Sequence, residues 1–294
     1  MKRLLFVGDI SVDLTLTAQR FPEPDEKVHC SDAFEDIGGV VTNAAVAAAR
    51  AGAAVMLAIQ VGTDPASAGI AQRLAGEGLH LHIGERAGAI CRVVTVVEPH
   101  GEKRLLLHPG VSLYPDDGVL NAVNLEGVSH IHTAIYGPSS KQLIARAKDK
   151  GIAWSLDLEP ATFPDGIETL RSAIDGAAVL FVNDRAAQAI GTDAMDGLFR
   201  MGAASVVRTE GPRGATLFNR QGVVATATPP SLPIVDTTGA GDCLAGWYLA
   251  GLSRGETPPK ALAQAVRAAT IACGALGAQA AIPTRAEFLS YKEN

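Results

Sequence analysis

Short apolar runs alternate with Ala-rich stretches from the start of the chain. Residues 4–10, LLFVGDI, form an apolar run closed by Gly8 and Asp9, which predicts a buried strand. The string at 42–53, TNAAVAAARAGA, predicts a helix that ends at Gly52. A second buried strand is predicted for VMLAIQVG at 55–62, followed by a helix near 66–76.

Strand-like and helix-like stretches alternate regularly from residue 129 onward. SHIHTAIYG, IAWSLDLEP, AAVLFVN and ASVVRTEG predict strands, and the stretches between them predict helices. This alternation indicates βαβ units and a parallel sheet covered by helices. The pattern has β character again at 214–235 and is largely helical at 240–280. No change of composition divides the chain, so we predict a single α/β domain over 1–294.

Two segments lie outside this alternation. Residues 14–36 are mixed and more polar, with FPEPDE as a turn signal. Residues 89–108 contain two β-rich runs joined by PHGE, which predicts a hairpin. Both segments are predicted to form β structure apart from the main sheet.

Composition and charge narrow the function classes. Hydrophobic residues make up 47% of the 294 and charged residues 19%, which supports a large core and argues against disorder. The net charge of −6 and the lack of Lys/Arg clusters argue against nucleic-acid and membrane partners. No apolar run approaches the roughly 18 residues of a membrane span. No leader pattern precedes the first predicted strand, so we expect a cytoplasmic protein.

The four cysteines carry no metal-binding spacing. Cys30, Cys91, Cys243 and Cys273 are scattered, without a C-x-x-C pair. A metal site and a disulfide remain alternatives, but we expect reduced and mostly buried thiols.

The stretch VDTTGAGDCLAG at 235–246 places glycines where a strand-like segment gives way to an apolar helix. Unpaired amides and the positive end of a helix dipole would face outward there, and glycine lets the backbone close on an anion. An ordinary capped turn is the alternative, with Asp242 as the cap and Asp236 as a turn residue. If the amides hold a phosphoryl group, Asp242 is placed to accept a proton from an attacking hydroxyl.

Spacing excludes two familiar phosphate loops. The dinucleotide fingerprint requires G-x-G-x-x-G/A, but Leu244 stands where its third small residue belongs. A Walker loop requires Gly-Lys, and the chain contains no such pair.

Several motifs together resemble the ribokinase-like (PfkB) carbohydrate kinases. DTTGAGD at 236–242 is similar to the C-terminal signature of that family, and IGGVVTNAAVAAARAGA at 37–53 is similar to its N-terminal glycine pair and helix. GDISVD at 8–13, VGTD at 61–64 and ATIACGALGAQAAIP at 269–283 extend the resemblance over residues 4–283. It implies a ribokinase-like α/β fold: a central, mainly parallel sheet flanked by helices, with a small β lid formed by 14–36 and 89–108.

The resemblance also implies an activity and its residues. The chain would be an ATP- and Mg²⁺-dependent kinase acting on a primary hydroxyl of a small carbohydrate such as ribose or fructose. Asp242 would be the general base, and the anion hole would comprise Gly239, Ala240, Gly241 and the Asp242 amide. Sugar hydroxyls would be held by Asp13, Gly39 and Asn43. Their structural alternatives are a strand-end turn, a plain turn and a helix cap.

Nucleotide and cation residues follow from the same resemblance. The nucleotide would be bound by Asn183, Thr209, Gly211, Gly214 and Thr238. A monovalent cation, K⁺, would be bound by Asp236, Thr238, Ala272, Ala275 and Gly277.

The chain departs from the family pattern at three points. The Glu of the family's N-x-x-E is Ala186, which leaves Asp184, or phosphates and water, to hold Mg²⁺. The Gly-Gly-Lys-Gly of ribokinases is Gly-Gly-Val-Val at 38–41. The outermost cation ligand, often Ser, is Ala281, which puts K⁺ activation in question.

The sequence leaves the substrate open. Candidate specificity residues are Lys27, Arg92, Arg104, His108 and Tyr136, and a cluster of the cations among them would favour an acidic or phosphorylated sugar. Lys27 could reach an anionic group of the substrate, but a solvated lysine at the lid edge is the favoured interpretation. A nucleoside kinase is a second alternative, and a non-catalytic sugar- or nucleotide-binding regulator is an alternative of another class. Apolar alternation in VVTVV and RLLLH suits either a homodimer through the lid or packing of the lid on the core.

Overall fold

The computed structural model describes residues 3–99, 103–137 and 139–291. The thirteen described strands are β1 (Arg3–Val7), β2 (Ser11–Ala18), β3 (Cys30–Gly38), β4 (Val55–Val61), β5 (His80–Glu85), β6 (Cys91–Val97), β7 (Lys103–His108), β8 (Val128–Ala134), β9 (Ala153–Leu158), β10 (Val179–Asn183), β11 (Ser205–Thr209), β12 (Ala215–Asn219) and β13 (Gly222–Ala227).

The described α-helices are α1 (Val40–Arg50), α2 (Ile70–Ala75), α3 (Asp117–Ala122), α4 (Ser139–Asp149), α5 (Arg171–Ile174), α6 (Asp184–Ile190), α7 (Ala194–Arg200), α8 (Ala240–Ser253), α9 (Pro258–Ala272) and α10 (Arg285–Ser290). Short 3₁₀ turns lie at Pro160–Thr162, Ile167–Leu170 and Gly211–Arg213.

Nine strands form one large sheet in the order β13-β12-β11-β10-β9-β8-β1-β4-β5. All neighbours from β11 to β5 are parallel, and only the two pairings of β12, with β11 and with β13, are antiparallel. Strands buried on both faces need continuous apolar sequence, and every residue of β4 is buried. The predicted α/β fold with a mainly parallel sheet is confirmed.

Helices bury both faces of the large sheet. On one face, Phe6, Leu57 and Phe181 belong to the cluster that contains the apolar sides of α1, α8 and α9. On the other, Leu156 and Leu180 belong to a second cluster with residues of α4, α5 and α7. The carboxyl ends of the parallel strands therefore meet at one uncovered edge, where open α/β sheets bind ligands.

The remaining four strands form a separate small sheet in the order β3-β2-β6-β7. β2 pairs antiparallel with β3 and parallel with β6, and β6 pairs antiparallel with β7. These strands occupy the segments predicted as a lid at 14–36 and 89–108. The predicted turn PHGE has its residues 100–102 outside the described residues.

Two predictions of local structure hold over part of their range. β structure predicted for 214–235 stops at Ala227, and the residues leading to the 235–246 stretch are irregular. Pro229, Pro230 and Pro233 lie in that segment, and proline cannot donate to a strand ladder. The helical pattern assigned to 240–280 is interrupted at 254–257 and ends at Ala272.

The structure also describes the exposure of the four cysteines and the length of the helices. Cys91, Cys243 and Cys273 are buried free thiols, while Cys30 is an exposed one. In the described part of the chain, every helix is too short or too polar to cross a bilayer.

Candidate functional site

Helix α8 begins at a left-handed glycine beside the uncovered edge of the large sheet. Gly239 precedes the first turn with φ 73°, and a Cβ there would lie 2.8 Å from the Ala278 carbonyl oxygen. Only glycine meets both requirements. The amides of Ala240, Gly241 and Asp242 follow in the first turn, where a helix offers no intrahelical acceptors. Gly241 is exposed, so this end of α8 is open to a ligand.

Asp242 lies in the first turn of α8. Its Oδ2 accepts a hydrogen bond from Asn43 Nδ2 at 2.8 Å. Burial raises the pKa of Asp242 well above its ordinary value of 3.8, and the charges of Glu159, Asp9 and Asp13 raise it further, while the Asn43 hydrogen bond opposes them. Such a carboxylate accepts a proton more readily than a solvated one.

Asn43 is held on both sides. Its Oδ1 accepts a hydrogen bond from Gln279 Nε2 at 2.8 Å, while its Nδ2 faces Asp242. Asn43 lies inside α1, which begins after Gly39, so the helix-cap alternative for Asn43 is wrong. Gln279 was not predicted, because no local pattern distinguishes a glutamine in an irregular stretch.

Asp9 caps α1 from the end of β1. Its carboxylate accepts hydrogen bonds from the amides of Val40 at 2.8 Å and Val41 at 3.0 Å. Burial raises the pKa of Asp9 to about 6, although these amides lower it. The close approach of this loop explains Gly39, which has φ 110° and where a Cβ would lie 2.6 Å from the Asp9 carbonyl oxygen.

Asp13 faces the same region from β2. Ser11 Oγ donates to Asp13 Oδ1 at 2.5 Å, and a Cβ on Gly38 would overlap the Asp13 carboxylate. Burial raises the pKa of Asp13, while the Ser11 hydrogen bond lowers it. The glycine pair at 38–39 therefore makes room for Asp13 and for the Asp9 backbone.

Two further carboxylates, those of Asp157 and Glu159 at the end of β9, were not predicted. Tyr136 Oη donates to Glu159 Oε2 at 2.5 Å. Burial raises the pKa of Asp157 well above 3.8, and Glu159, Asp242 and Asp9 add to the effect. Their position at the carboxyl end of a buried strand was the available signal. We call the five residues Asp9, Asp13, Asp157, Glu159 and Asp242 the carboxylate cluster of the site.

The candidate cationic residues do not form a cluster. Arg92 pairs with Asp64 at 3.2 Å. Arg104 pairs with Glu98 at 3.5 Å and lies over the Phe21 ring at 5.0 Å. Lys27 and His108 are exposed. The two arginines are thus engaged within the small sheet and its surroundings.

The predicted nucleotide residues lie at the ends of neighbouring strands. Asn183 ends β10 and pairs in register with Thr209, which ends β11. Gly211 and Gly214 have positive φ, and a Cβ on Gly214 would lie 2.0 Å from the Ala227 carbonyl oxygen. Glycine at 214 therefore lets the turn between β11 and β12 approach the end of β13 closely.

The stretch 183–186 does not fit a Mg²⁺ site. Asn183 Oδ1 accepts from the Ala186 amide at 2.8 Å and caps α6. The Asp184 carboxylate is bound by Arg208 at 2.8 Å and Arg213 at 3.0 Å, which lowers its pKa. Ala186 is buried and has no oxygen ligand to offer. Nowhere in 3–99, 103–137 and 139–291 do three His, Cys, Asp or Glu side chains form a metal-binding group.

Two of the predicted K⁺ residues, Thr238 and Gly277, donate hydrogen bonds to a third, Asp236. A lysine side chain that was not predicted contacts the same place. Asp236 is buried, and its carboxylate accepts from the Gly277 amide at 3.0 Å and from Thr238 Oγ1 at 2.7 Å. Lys103 Nζ, from β7, donates to Asp236 Oδ1 and to Thr238 Oγ1, the latter at 2.7 Å. Burial raises the pKa of Asp236, but the hydrogen bonds from Lys103, Gly277 and Thr238 outweigh burial and lower it to about 2.

The rest of the predicted K⁺ set lies beside this pair. Ala272 is buried at the end of α9, and Ala275 lies in the turn that follows. The carbonyl oxygen of Cys273, between them, accepts from the amides of Val235 at 2.8 Å and Asp236 at 3.2 Å. The loop at 235–239 is thereby fixed to the turn after α9.

Comparisons with known proteins show the family and the fold of the chain. The family model described as pfkB family carbohydrate kinase matches residues 1–285. The chain is 27% identical to a ribokinase of Bacillus subtilis strain 168, with 98% of each chain covered. It is 28% identical to an ATP-dependent ribose-1-phosphate kinase of Halopiger xanaduensis, with 99% of each covered. The crystal structure of a ribokinase from Thermotoga maritima superposes with a TM-score of 0.83 at 22% identity, over 99% of each chain.

Proposed function

This chain belongs to the pfkB family of carbohydrate kinases, and we propose that it transfers the γ-phosphoryl group of ATP to a primary hydroxyl of a small neutral carbohydrate. The observation that carries the proposal is the position of Asp242 in the first turn of α8, beside the amides of 239–242, of which that of Ala240 also donates to the Thr237 carbonyl oxygen at 3.3 Å. A base and an anion-binding cradle thus share one helix end, as in-line phosphoryl transfer requires.

In this mechanism Asp242 takes the proton from the attacking hydroxyl as the oxygen bonds to the γ-phosphorus. The bond from that phosphorus to the bridging oxygen breaks, and ADP leaves with the electron pair. The amides of Gly239, Gly241 and Asp242 would donate to the phosphoryl oxygens, where charge is concentrated in the transition state. The Ala240 amide, which donates to the Thr237 carbonyl oxygen at 3.3 Å, would join them only if that bond opens. Asn43 holds the Asp242 carboxylate toward the hydroxyl.

Mg²⁺ bound to the nucleotide would supply charge neutralisation of the phosphates. Since Asp184 and Ala186 do not fit such an ion, we propose that it is held mainly by phosphate oxygens and water. The nucleotide itself would lie at the ends of β10 and β11, near Asn183 and Thr209, and over the turn at Gly211 and Gly214, with Thr238 nearer the phosphates.

The carboxylate cluster favours an uncharged sugar as the acceptor of the phosphoryl group. Carboxylates accept hydrogen bonds from sugar hydroxyls but repel the carboxylate or phosphate of an acidic sugar. The cations that would offset such a charge, Arg92 and Arg104, are paired with Asp64 and Glu98. Asp13, Gly39 and Asn43 would then contact the sugar. An acidic or phosphorylated substrate is therefore disfavoured, although one relative is named a ribose-1-phosphate kinase.

A substrate panel tests the proposal. Ribose, fructose, adenosine, inosine, ribose-1-phosphate and an aldonic acid are each incubated with ATP and Mg²⁺, and phosphorylated product is quantified. We expect turnover with a neutral sugar and at most weak turnover with the two anionic compounds. Preferred turnover of a nucleoside would favour the nucleoside-kinase alternative. Tight binding of one compound without product would favour the non-catalytic regulator.

We also propose a homodimer through the small sheet. β7 is an edge strand, and its consecutive residues Leu105, Leu106 and Leu107 are 61%, 58% and 54% exposed. An edge strand that exposes three leucines favours pairing with another chain. These leucines are not covered by the core, so packing of the lid on the core does not account for them. A second copy of this chain is the occupant that the proposal names.

A further inference from the structure

We infer that Lys103 takes the place of the monovalent cation at Asp236, so that a residue of the small sheet orders the anion-hole loop without K⁺. The inference rests on the proposed function, because only phosphoryl transfer makes this loop an anion hole. The contacts of Lys103 with Asp236 and Thr238 do not depend on that function.

Lys103 contacts two of the five residues predicted to bind the ion. Lys103 Nζ donates to Asp236 Oδ1 and to Thr238 Oγ1 at 2.7 Å. Both residues belong to the set predicted to bind K⁺. An ammonium group carries the same single charge as K⁺ and presents three donors, so it substitutes for the ion both electrostatically and as a partner of oxygen atoms.

Charge balance argues against a second cation at this position. The Asp236 side chain is only 6% exposed, and the Lys103 side chain is 24% exposed. A K⁺ ion on the same carboxylate would lie beside the ammonium, where two like charges repel strongly at low solvent exposure. Ala281 stands where the family's outermost oxygen ligand is expected, so the set is also short of a ligand. The residues present therefore do not fit K⁺.

Asp236 connects this lysine to the anion hole. Its carboxylate accepts from the Thr238 amide at 3.0 Å and from the Gly277 amide at 3.0 Å. Thr238 directly precedes Gly239, whose φ of 73° starts α8. A cation on Asp236 holds this loop in shape, and here the cation comes from β7. The small sheet and the phosphoryl cradle are consequently joined by one ion pair.

The first test measures thermal unfolding midpoints in KCl, NaCl and choline chloride at equal ionic strength. We expect one midpoint for the wild type in all three salts. Lys103→Met should unfold at a lower temperature in choline chloride and regain much of the loss in KCl, because the ion then reaches Asp236. Lys103→Met/Asp236→Asn should show no K⁺ response, and Lys103→Arg, which keeps the charge, should behave as the wild type. Lys141→Met removes an exposed lysine on α4 and is the matched control.

The second test measures kcat/KM with the sugar that the panel identifies. Replacing KCl by choline chloride should change the wild-type value by less than about twofold, while Lys103→Met should lose about tenfold or more in choline chloride and recover in KCl. A wild-type enzyme that depends on K⁺, or a Lys103→Met variant that no salt restores, would overturn the inference. Folding of the variant only in KCl would support it. If no sugar is phosphorylated, the melting experiment still decides the inference, and the proposed function fails separately.

Discussion

Asn43 donates a hydrogen bond from Nδ2 to Asp242 Oδ2 at 2.8 Å, although 199 positions separate the two residues. The contact follows from the packing of α1 on α8. Gly246, one turn after Asp242, has no side chain, and a Cβ there would lie 2.2 Å from the Ala44 carbonyl oxygen. The helices therefore approach closely enough for an asparagine to reach the carboxylate. Gln279 holds the other end of the same amide.

Replacing the proposed base should abolish most turnover. In Asp242→Asn the side chain keeps its shape but cannot take the proton, so we expect kcat to fall by about 10²- to 10⁴-fold. The dissociation constant of ATP, measured by calorimetry, should change little. Asp165→Asn, at an exposed position, is the matched control. A variant that keeps most of its kcat would remove Asp242 from the mechanism.

The Asn43 contact should be visible in the pH profile. A general base works deprotonated, so kcat/KM falls as pH drops through the pKa of Asp242. The Asn43 hydrogen bond lowers that pKa. Asn43→Leu should therefore move the acidic limb to higher pH. Gln279→Met, which leaves the Asn43 donor in place, should move the limb less. An acidic limb that stays at the same pH in Asn43→Leu would contradict the positioning role.

The close approach of α1 and α8 predicts a cost for one added methyl group. Gly246→Ala would place its Cβ 2.7 Å from that of Ala47 and closer still to the Ala44 carbonyl oxygen. We expect a loss of about 1–3 kcal/mol in the free energy of unfolding, despite a gain in helix propensity. Gly197→Ala in α7, with only the tip of Arg200 nearby at 3.8 Å, should be neutral or stabilising. Denaturant titrations of both variants give the comparison, and equal stabilities would contradict it.

The ion pair at Asp236 should stabilise the fold in a defined pH range. Asp236 has a pKa of about 2 in the folded protein against 3.8 for an ordinary aspartate. A lowered pKa contributes stability above the unfolded value, and this is lost as pH falls through the folded value. The shift corresponds to about 2 kcal/mol at neutral pH. Asp236→Asn should lower the free energy of unfolding by about that amount at pH 6, and the difference from wild type should shrink between about pH 4 and pH 2. A pH-independent difference would refute the assignment.

The exposed edge of the small sheet predicts a concentration-dependent dimer. Leu106→Glu introduces a charge into the leucine run of β7, and we expect it to shift the protein to monomer in sedimentation experiments. Its melting temperature at low protein concentration should stay near the wild-type value, because the side chain is already exposed. Leu289→Glu, at another exposed leucine on α10, should leave the oligomeric state unchanged. A wild type that is monomeric at high concentration would refute the dimer.

Much of the architecture was predictable because it depends on local pattern. Apolar runs such as 55–61 became strands buried on both faces, and alternation with helical stretches led to the parallel sheet. Gly239 was recognisable because it stands where a strand-like segment gives way to an apolar helix. By contrast, β5 and α3 were not predicted, and both are six residues long, too short for a clear period. The prolines after Ala227 should have excluded the strand that was predicted there.

The sequence by itself determined the fold class, the glycine turn before α8 and the identity of Asp242 as the candidate base. Only the tertiary structure decided how the site is charged. It brought Asp157 and Glu159 toward Asp242, paired Arg92 and Arg104 elsewhere, and directed Lys103 onto Asp236. The physical reason is that strand and helix formation respond to neighbours a few positions away. Ion pairs and desolvation depend on distances between residues that are far apart in the chain, and packing alone sets those distances.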